Sequence, residues 1–489
     1  MDSSYASLVK GRCIRNPSLR TLYAFLSSPD NGPPRTRIVS IDWKSCDSKP
    51  LQRDIDPSQL ANELGAKSSG DCESQLEQGT GAHDPTRAKP GSHKVLVIED
   101  IDKDTMEELG SRLAIDPMFF AAHVHSSWRG FEAATPKYCE LPSQAQQQQN
   151  FVTFHYHRAL VYPDIEKQDY KLLRQSSIDR KVIVFPSVQG RRLGLAKHCC
   201  SILVVQPTKE GEGRLGIVLA DPPMAESYLS LRGSQKVTIN TTSMPLFGGT
   251  EDFSAKASTE QDTQQHVTCH SMLQELLYHW CSTAPFDFST GNLTLGGLSY
   301  RPLRIIGAEW VNYLGLMCFS LRQYDTLLSG GLDSLAQLDK ISTALNTISS
   351  WPRRVASSKD SLSKELAFID HYGQAGNPSW DTWALLRKDY DYLIQSVAQH
   401  GDQLQAAIPL VSTFLQLAEN RRTFAETKNM SRLTVVAMVF VPLGFVSSLF
   451  SMNEKFSPGG PLFWVYFAVA VPVFALVMLL VMPILHPKQ

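Results

Sequence analysis

The sequence lacks an excess of charge of either sign. Its 489 residues carry 47 Lys and Arg against 48 Asp and Glu, which gives a formal net charge of −1. A nucleic-acid-binding protein needs a clustered basic excess, because much of its affinity comes from releasing the counterions of phosphates. The charge balance therefore argues against a nucleic acid as a partner, and equally against an acidic solvating tail.

Paired cysteines and common catalytic motifs are also missing. The nine cysteines are odd in number and include no CxxC pair, which argues against a zinc ribbon and a disulfide framework. We expect reduced, mostly buried thiols of a cytosolic domain. No GxSxG, HExxH or Walker A pattern occurs, so these motifs give no indication of catalysis.

Long apolar runs are absent from most of the chain and are concentrated at its C-terminal end. Leu433–Phe450 is a run of 18 residues without a charge, and Leu462–Leu485 is a run of 24. A helix needs about 20 apolar residues to cross roughly 30 Å of hydrocarbon. Buried core helices rarely run this long without a polar stripe. The two runs therefore predict two transmembrane helices.

The connection and the flanking charges predict how this pair is oriented. Asn453–Pro461 is too short to hold a domain, so the two runs form an antiparallel hairpin. The flanking basic residues are Arg421, Arg422, Lys428 and Arg432 before the first run and Lys488 after the second. Because such residues concentrate on the cytosolic side, we expect both termini in the cytosol (or matrix) and the loop outside. The first thirty residues are Ser-rich and basic, a weak transit-like feature, and we favour the plasma membrane over the mitochondrial inner membrane.

Upstream of the apolar runs, the pattern predicts an α/β cytosolic domain followed by helices. Short β-branched or aromatic runs bounded by turn residues predict strands at 36–43, 94–98, 151–161, 181–185, 198–206 and 214–220. Helical patterns occur at 102–113, where Asp102 can cap the first turn, and at 266–281, 305–328, 332–349 and 380–450. The polar stretch around residues 45–92 has the composition of a disordered segment.

These patterns define the expected organisation of the chain. The predicted segments are the start of the α/β domain (1–44), a disordered polar insert (45–93), the α/β domain (94–262), its helical part (263–376), a stalk helix (377–432), transmembrane helix 1 (433–452), an external loop (453–461), transmembrane helix 2 (462–485) and a cytosolic tail (486–489).

Two lines of residues run along the last long helix. Apolar residues spaced alternately by four and three, from Leu386 to Ala418, predict a heptad stalk that only His400 interrupts. A second line with the same spacing continues into the apolar run. We call it the hydroxyl seam, and its members are Thr423, Thr427, Met430, Thr434, Ala437, Val441, Gly444 and Ser448. Within hydrocarbon, such small and hydroxyl-bearing residues form either a tight helix interface or the wall of a water-filled pore, and spacing alone leaves both open.

The segment RLTVVAMVFVPLGFVSSLFSMN, followed by a short loop, a second apolar run and a brief basic tail, resembles the CorA superfamily of divalent-cation channels and transporters. The resemblance is clearest from Pro378 to Leu485, with weaker similarity to the fungal CorA-like branch at 95–124 and 214–223. It implies a homo-pentamer in the lipid bilayer, with a cytosolic α/β funnel and a stalk helix that continues into a pore-lining first span. The family's Gly-Met-Asn signature corresponds to Ser451, Met452 and Asn453.

The resemblance also implies what passes through the pore. Asn453 is the expected metal ligand at the entrance, supported by Met452 and Ser451, because a ring of amide carbonyls can hold the water shell of a hydrated cation. Oxygen ligands suit magnesium better than softer ions, although zinc or cobalt fits the family, and no covalently bound cofactor is expected. Serine in place of the signature glycine leaves a second interpretation, a non-conducting membrane scaffold or sensor.

Two other motifs lead to different classes of protein. Ser329–Ser334 reads SGGLDS, which matches the pyrophosphate loop of PP-loop ATP-using enzymes, but the residues before it have a helical pattern rather than that of a strand. His123 with His125, and His155 with His157, are expected to share strand faces, and neither pair has an evident third zinc ligand. We therefore predict that the chain is not an enzyme.

Overall fold

The structure, a computed structural model, describes most of the chain. The described residues are 4–29, 35–43, 50–65, 93–125, 150–163, 170–173, 176–185, 191–205, 214–224, 228–231, 236–238, 271–282, 293–329, 342, 345–372, 380–452 and 459–485. The chain divides into two compact units. The first contains Met1–Asp325 and Asn346–Ala407, and the second contains Thr326–Leu345 and Ile408–Gln489.

The strands all belong to the first unit. They are β1 (Arg37–Trp43), β2 (Leu51–Ile55), β3 (His93–Glu99), β4 (Phe151–Pro163), β5 (Tyr170–Leu173), β6 (Val182–Val184), β7 (Arg191–Val205), β8 (Leu215–Ala220), β9 (Tyr228–Leu231) and β10 (Lys236–Thr238). The main sheet has the order β2-β1-β3-β8-β7-β4, with β6 also paired to β7, and a smaller sheet has the order β10-β9-β5. Among the strands of the described residues, only β3 and β8 pair in parallel.

The helices lie in both units. They are α1 (Tyr5–Arg12), α2 (Arg20–Leu26), α3 (Leu60–Gly65), α4 (Lys103–Leu113), α5 (Pro117–Val124), α6 (Met272–Ser282), α7 (Leu295–Ser329), α8 (Trp351–Tyr372), α9 (Trp380–Ser451) and α10 (Phe463–Leu485). An α/β N-terminal part, a long helix and C-terminal apolar helices are thus all present, as the sequence predicts.

Helices cover both faces of the main sheet. On one face, Leu96 and Ile98 of β3 belong to a buried cluster with residues of α1, α2, α4 and α5. On the other face, Gly216 of β8 approaches α7 so closely that an added Cβ would lie 2.6 Å from Leu298 Cδ1. A strand buried on both sides is apolar at successive positions, which explains the continuous run VLVI at 95–98.

Side chains at helix starts explain two of the turns around this sheet. Asp102 accepts a hydrogen bond from the backbone N–H of Thr105 at 2.8 Å and caps α4, as the sequence predicts. Asp116 accepts a hydrogen bond from the N–H of Met118 at 3.0 Å, and Pro117 occupies the first turn of α5.

The prediction of a disordered insert at 45–93 is wrong for residues 50–65. There the chain forms β2, which pairs antiparallel with β1, and then α3, whose Leu60 is buried in the core. The local composition is polar, but pairing with a distant strand supplies the backbone hydrogen bonds that composition does not reveal. The remainder of the insert, apart from residue 93 in β3, lies outside the described residues.

Three further expectations need correction. His123 belongs to α5 and His125 follows it, so this pair does not lie on a strand, because Asp116 and Pro117 begin a helix there. Helix α7 begins at Leu295 rather than at residue 305, since Pro302 lies in its third turn without ending it. Helix α8 was not predicted, although its buried residues Val355, Leu362 and Ile369 follow a seven-residue spacing.

The predicted stalk seam is buried over much of its length. Leu386, Tyr390, Leu393, Val397 and Leu404 are almost fully buried in α9. The exception, His400, is partly buried and bonded on both sides of its ring. Its Nδ1 lies 2.7 Å from the carbonyl oxygen of Ser396, and its Nε2 lies 3.0 Å from the Sγ of Cys318. The apolar heptad of α9 thus accommodates His400 because both of its ring nitrogens have polar neighbours, the Ser396 carbonyl and the Cys318 thiol.

In the second unit, α9 continues without interruption through Pro409 and Pro442 to Ser451. Its final part is long and apolar enough to cross a membrane, and α10 has a shorter apolar segment at 463–479 among its described side chains. The rings of Phe450 and Tyr466 meet edge to face with centroids 6.1 Å apart. Because one ring lies near the end of α9 and the other near the start of α10, the two helices form a hairpin.

Candidate functional site: the hydroxyl seam of helix α9

The threonines of the hydroxyl seam have their hydroxyl protons satisfied within their own helix. The Oγ1 atoms of Thr423, Thr427 and Thr434 donate to the carbonyl oxygens four residues earlier, at 2.7–3.0 Å. A hydroxyl that donates in this way still has oxygen lone pairs directed outward. These three threonines therefore present hydrogen-bond acceptors along the seam.

The apolar part of the seam is open in the single chain. A Cβ added at Gly444 would meet no atom within 4 Å. Thr434, Ala437, Val441 and Ser448 are likewise exposed. Residues of this size on an exposed line let another helix, or water, approach the backbone of α9 closely.

The seam faces away from α10. Residues two positions apart on an α-helix are separated by about 200° around its axis. Val446, which is buried, and Phe450, which contacts Tyr466, therefore point to the side opposite Gly444 and Ser448. Packing against α10 thus occupies the other side of α9, and the seam does not serve as the interface within the hairpin.

The predicted entrance residues are described in part. Ser451 is the last residue of α9, has a helical backbone, and its Oγ donates to the carbonyl oxygen of Ser448 at 3.2 Å. The signature glycine's backbone freedom is therefore not required at this position in the present conformation. Met452 follows with 87% of its surface exposed. Asn453, the predicted metal ligand, lies outside the described residues.

A buried Ser–His–Asp cluster lies in the first unit. His123 Nδ1 is 2.9 Å from Ser201 Oγ, and His123 Nε2 is 3.9 Å from Asp221 Oδ1. Asp221 also accepts hydrogen bonds from Arg180 and from the N–H of Cys199, and burial raises the pKa of the Cys199 thiol to about 11. All five residues are buried, so no substrate reaches Ser201. The cluster joins α5 to the sheet, and its role is structural.

A second buried cluster connects the sheet to the helical layer. Arg158 of β4 donates from Nη2 to Glu275 Oε1 of α6 at 2.7 Å, and its Nε lies 2.8 Å from Glu309 Oε1 of α7. Burial, augmented by the charge of Glu309 and opposed by that of Arg158, raises the pKa of Glu275 to about 7. The sequence pattern does not predict this cluster, although a charged residue, Arg158, within the strand run at 151–161 is a signal for a buried ion pair.

The motif Ser329–Ser334 does not follow a strand. Helix α7 extends to Ser329, and the rest of the motif lies outside the described residues. A pyrophosphate loop of the PP-loop type needs a buried strand immediately before it. The ATP-using alternative therefore lacks its structural context. Within the described residues, no three His, Cys, Asp or Glu side chains converge on a potential metal site.

Comparison with known proteins connects the C-terminal part of the chain to a transporter family. The model of the family described as CorA-like Mg²⁺ transporter protein matches residues 331–486, which include α8, α9, α10 and the hydroxyl seam. The family is described as one of transporters, in agreement with the expectation that the chain is not an enzyme. A search among curated proteins finds no match.

Two solved structures show similarity over most of the chain. The CorA magnesium transporter from Methanocaldococcus jannaschii is 12% identical with a TM-score of 0.38, and the match covers 90% of this chain and 96% of that one. The full-length CmaX protein is 12% identical with a TM-score of 0.36, and the match covers 92% and 98%. Similarity at this level carries no argument about function.

Proposed function

We propose that this protein is a CorA-like channel or transporter that moves a divalent cation, magnesium in the first place, through a pore lined by the hydroxyl seam. It assembles as a homo-pentamer, with α9 and α10 spanning the membrane as a hairpin and both termini in the cytosol. Asn453 holds the hydrated cation at the entrance, supported by Met452 and Ser451. The observation that carries this proposal is the position of the seam, which is exposed on the side of α9 opposite α10.

The geometry favours a path for ions over a surface that faces lipid. A lipid-facing side of a span carries large apolar side chains, whereas Gly444, Ala437 and Thr434 leave the backbone accessible. Several copies of α9 around one axis, each with α10 outside, would bring five seams together. The threonine and serine oxygens would then line a narrow path whose polar groups replace part of a cation's water shell.

The charges near the apolar run favour a cation over an anion. Glu419 and Glu426 lie on the seam side of α9, because they are about 40° around the helix from Thr423 and Met430, respectively. Glu426 is paired with Arg422 at 2.9 Å. A path that leaves the membrane between carboxylates attracts positive ions and repels anions. Hard oxygen ligands favour magnesium over zinc or cobalt.

The test is magnesium uptake into liposomes that contain the purified protein and a magnesium-sensitive dye. Gly444→Leu should abolish uptake, because five leucine side chains would fill the axis, while the open space around Gly444 in one chain leaves its fold intact. Val436→Phe is the matched control. It also adds four heavy atoms to an exposed position, but at a point about 80° around the helix from Gly444 and about 160° from Thr434, and should leave most of the uptake.

The second candidate function is a non-conducting pentameric scaffold or sensor, which Ser451 in place of the signature glycine favours. Five serine side chains at the entrance narrow the axis where glycine would leave it open. Absence of uptake by the native protein together with uptake by Ser451→Gly would support this second function. Equal uptake by the native protein and Ser451→Gly, lost in Gly444→Leu, would exclude it.

A further inference from the structure

Basic and acidic residues are separated on the part of α9 that precedes the apolar run, except for Arg422, which pairs with Glu426 at 2.9 Å. Lys428 lies about 20° from Arg421 around the helix, and Arg432 lies about 20° to the other side, so the three form one basic stripe. The carboxylates of this stretch, Glu419 and Glu426, lie about 140–160° away. All three basic side chains are exposed, and none makes an ion pair with a described residue of the chain.

The stripe lies opposite the hydroxyl seam. Each member precedes a seam residue by two positions, as Arg432 precedes Thr434 and Lys428 precedes Met430, and is therefore about 200° from it. This is also the side on which Val446 is buried and Phe450 contacts Tyr466 of α10. If the seam faces the axis of an assembly, the stripe faces outward, where the bilayer surrounds the protein.

Distances along the helix place two of the three charges at the membrane surface. With a rise of about 1.5 Å per residue, Arg432 lies about 1.5 Å and Lys428 about 7.5 Å from Leu433, where the apolar run begins. The headgroup layer on each side of the hydrocarbon is about 5–8 Å thick. Arg421, at about 18 Å, lies beyond this layer and contributes less because salt screens charges within about 8–10 Å.

We propose that Lys428 and Arg432 form a binding site for the phosphate headgroup of an anionic phospholipid in the cytosolic leaflet, beside the end of α10. A guanidinium and an ammonium one turn apart, exposed and without a carboxylate on their side of the helix, complement a lipid phosphate in charge. The site requires the apolar run to lie in a bilayer, as proposed above, but it does not require cation transport.

The test is native mass spectrometry of the detergent-purified protein titrated with phosphatidylglycerol, with phosphatidylcholine as the neutral lipid. The double variant Lys428→Gln/Arg432→Gln should lower phosphatidylglycerol affinity about 25-fold, since each basic residue near the surface contributes about fivefold. The double variant Arg421→Gln/Arg422→Gln is the matched control. It removes the same charge farther from the headgroups and should change the affinity less than about threefold. Phosphatidylcholine binding should be the same in all variants.

Three results would overturn the site: native-like affinity in Lys428→Gln/Arg432→Gln, an equal loss in Arg421→Gln/Arg422→Gln, or full displacement of the lipid by soluble glycerol phosphate. The last result would indicate a site for free anions rather than for a lipid. The outcome is separable from that of the flux assay. A protein that passes no magnesium but shows this lipid dependence would refute the proposed transport and support the lipid site.

Discussion

Replacing Arg158 tests what connects the sheet of the first unit to its helical layer. The guanidinium contacts Glu275 and Glu309, and the three side chains are only 4%, 5% and 12% exposed. Arg158→Met retains the length and apolar stem of the side chain but leaves two carboxylates buried without their counter-ion. Breaking a buried ion pair by removing one partner costs about 3–5 kcal/mol.

The pH dependence distinguishes this cause from a simple loss of packing. The pKa of Glu275 is about 7 in the native protein against an ordinary value of 4.5. A raised carboxyl pKa means that the folded state takes up a proton more readily than the unfolded chain, so this residue favours folding more as the pH falls from 8 towards 4.5. In Arg158→Met, which lacks the guanidinium between the two carboxylates, the destabilisation should be largest at pH 8 and smaller at pH 5.5, where the Glu275 carboxyl is protonated more readily.

Thermal unfolding in detergent, followed by near-ultraviolet circular dichroism, measures this effect. We expect the midpoint of Arg158→Met to fall by roughly 6–20 °C at pH 8, given about 3–5 kcal/mol of destabilisation and about 2–4 °C per kcal/mol for large domains. Adding Glu275→Gln should restore part of the loss by removing one of the two stranded charges. A decrease of less than about 2 °C, or one that is the same at pH 5.5 and pH 8, would refute the reasoning.

Two further predictions concern the helical layer of the first unit. Gly401→Ala should lower the unfolding midpoint, because the new Cβ would lie 2.6 Å from Cγ1 of Val355 and overpacking costs about 1–3 kcal/mol. Adding Val355→Ala to the same chain removes the clashing methyl groups and should recover stability. Absence of recovery would contradict the proposed clash. Glu365 is buried and accepts a hydrogen bond from Trp310 Nε1 at 3.1 Å, and burial raises its pKa well above the ordinary value of 4.5. Glu365→Gln should therefore be as stable as the native protein at pH 8, or more stable, as measured by the same unfolding midpoint. A large decrease in this midpoint would show that the carboxyl is needed in its charged form.

Local patterns predicted those elements whose signals are local. The strand at 94–98 is a compact apolar run, and Asp102 caps the following helix, so both could be identified without knowledge of the fold. The long helix from Trp380 was predictable because its apolar residues keep one spacing over many turns. Helix α8 carries a seven-residue spacing too, but its polar residues between Val355 and Ile369 obscured it.

Non-local pairing accounts for what the sequence did not reveal. Strand β2 is exposed at four of its five positions, three of them polar, and it is ordered because it pairs with β1. Arg158, Glu275 and Glu309 are far apart in the sequence and meet only after the sheet and helices pack. For the hydroxyl seam, spacing predicted which residues share a face. Only the contact between α9 and α10 showed that this face points away from the second apolar helix.

The central claim is that the hydroxyl seam faces water inside the membrane. It is tested most directly by thiol labelling of the protein in liposomes with a small membrane-impermeant reagent, read by the mass of the labelled peptide. No native cysteine lies in the apolar runs, so labels there report only introduced residues. The account predicts that Thr434→Cys and Ser448→Cys are labelled while Val436→Cys is protected by lipid. Protection of Thr434→Cys and Ser448→Cys, or equal labelling at all three positions, would contradict it.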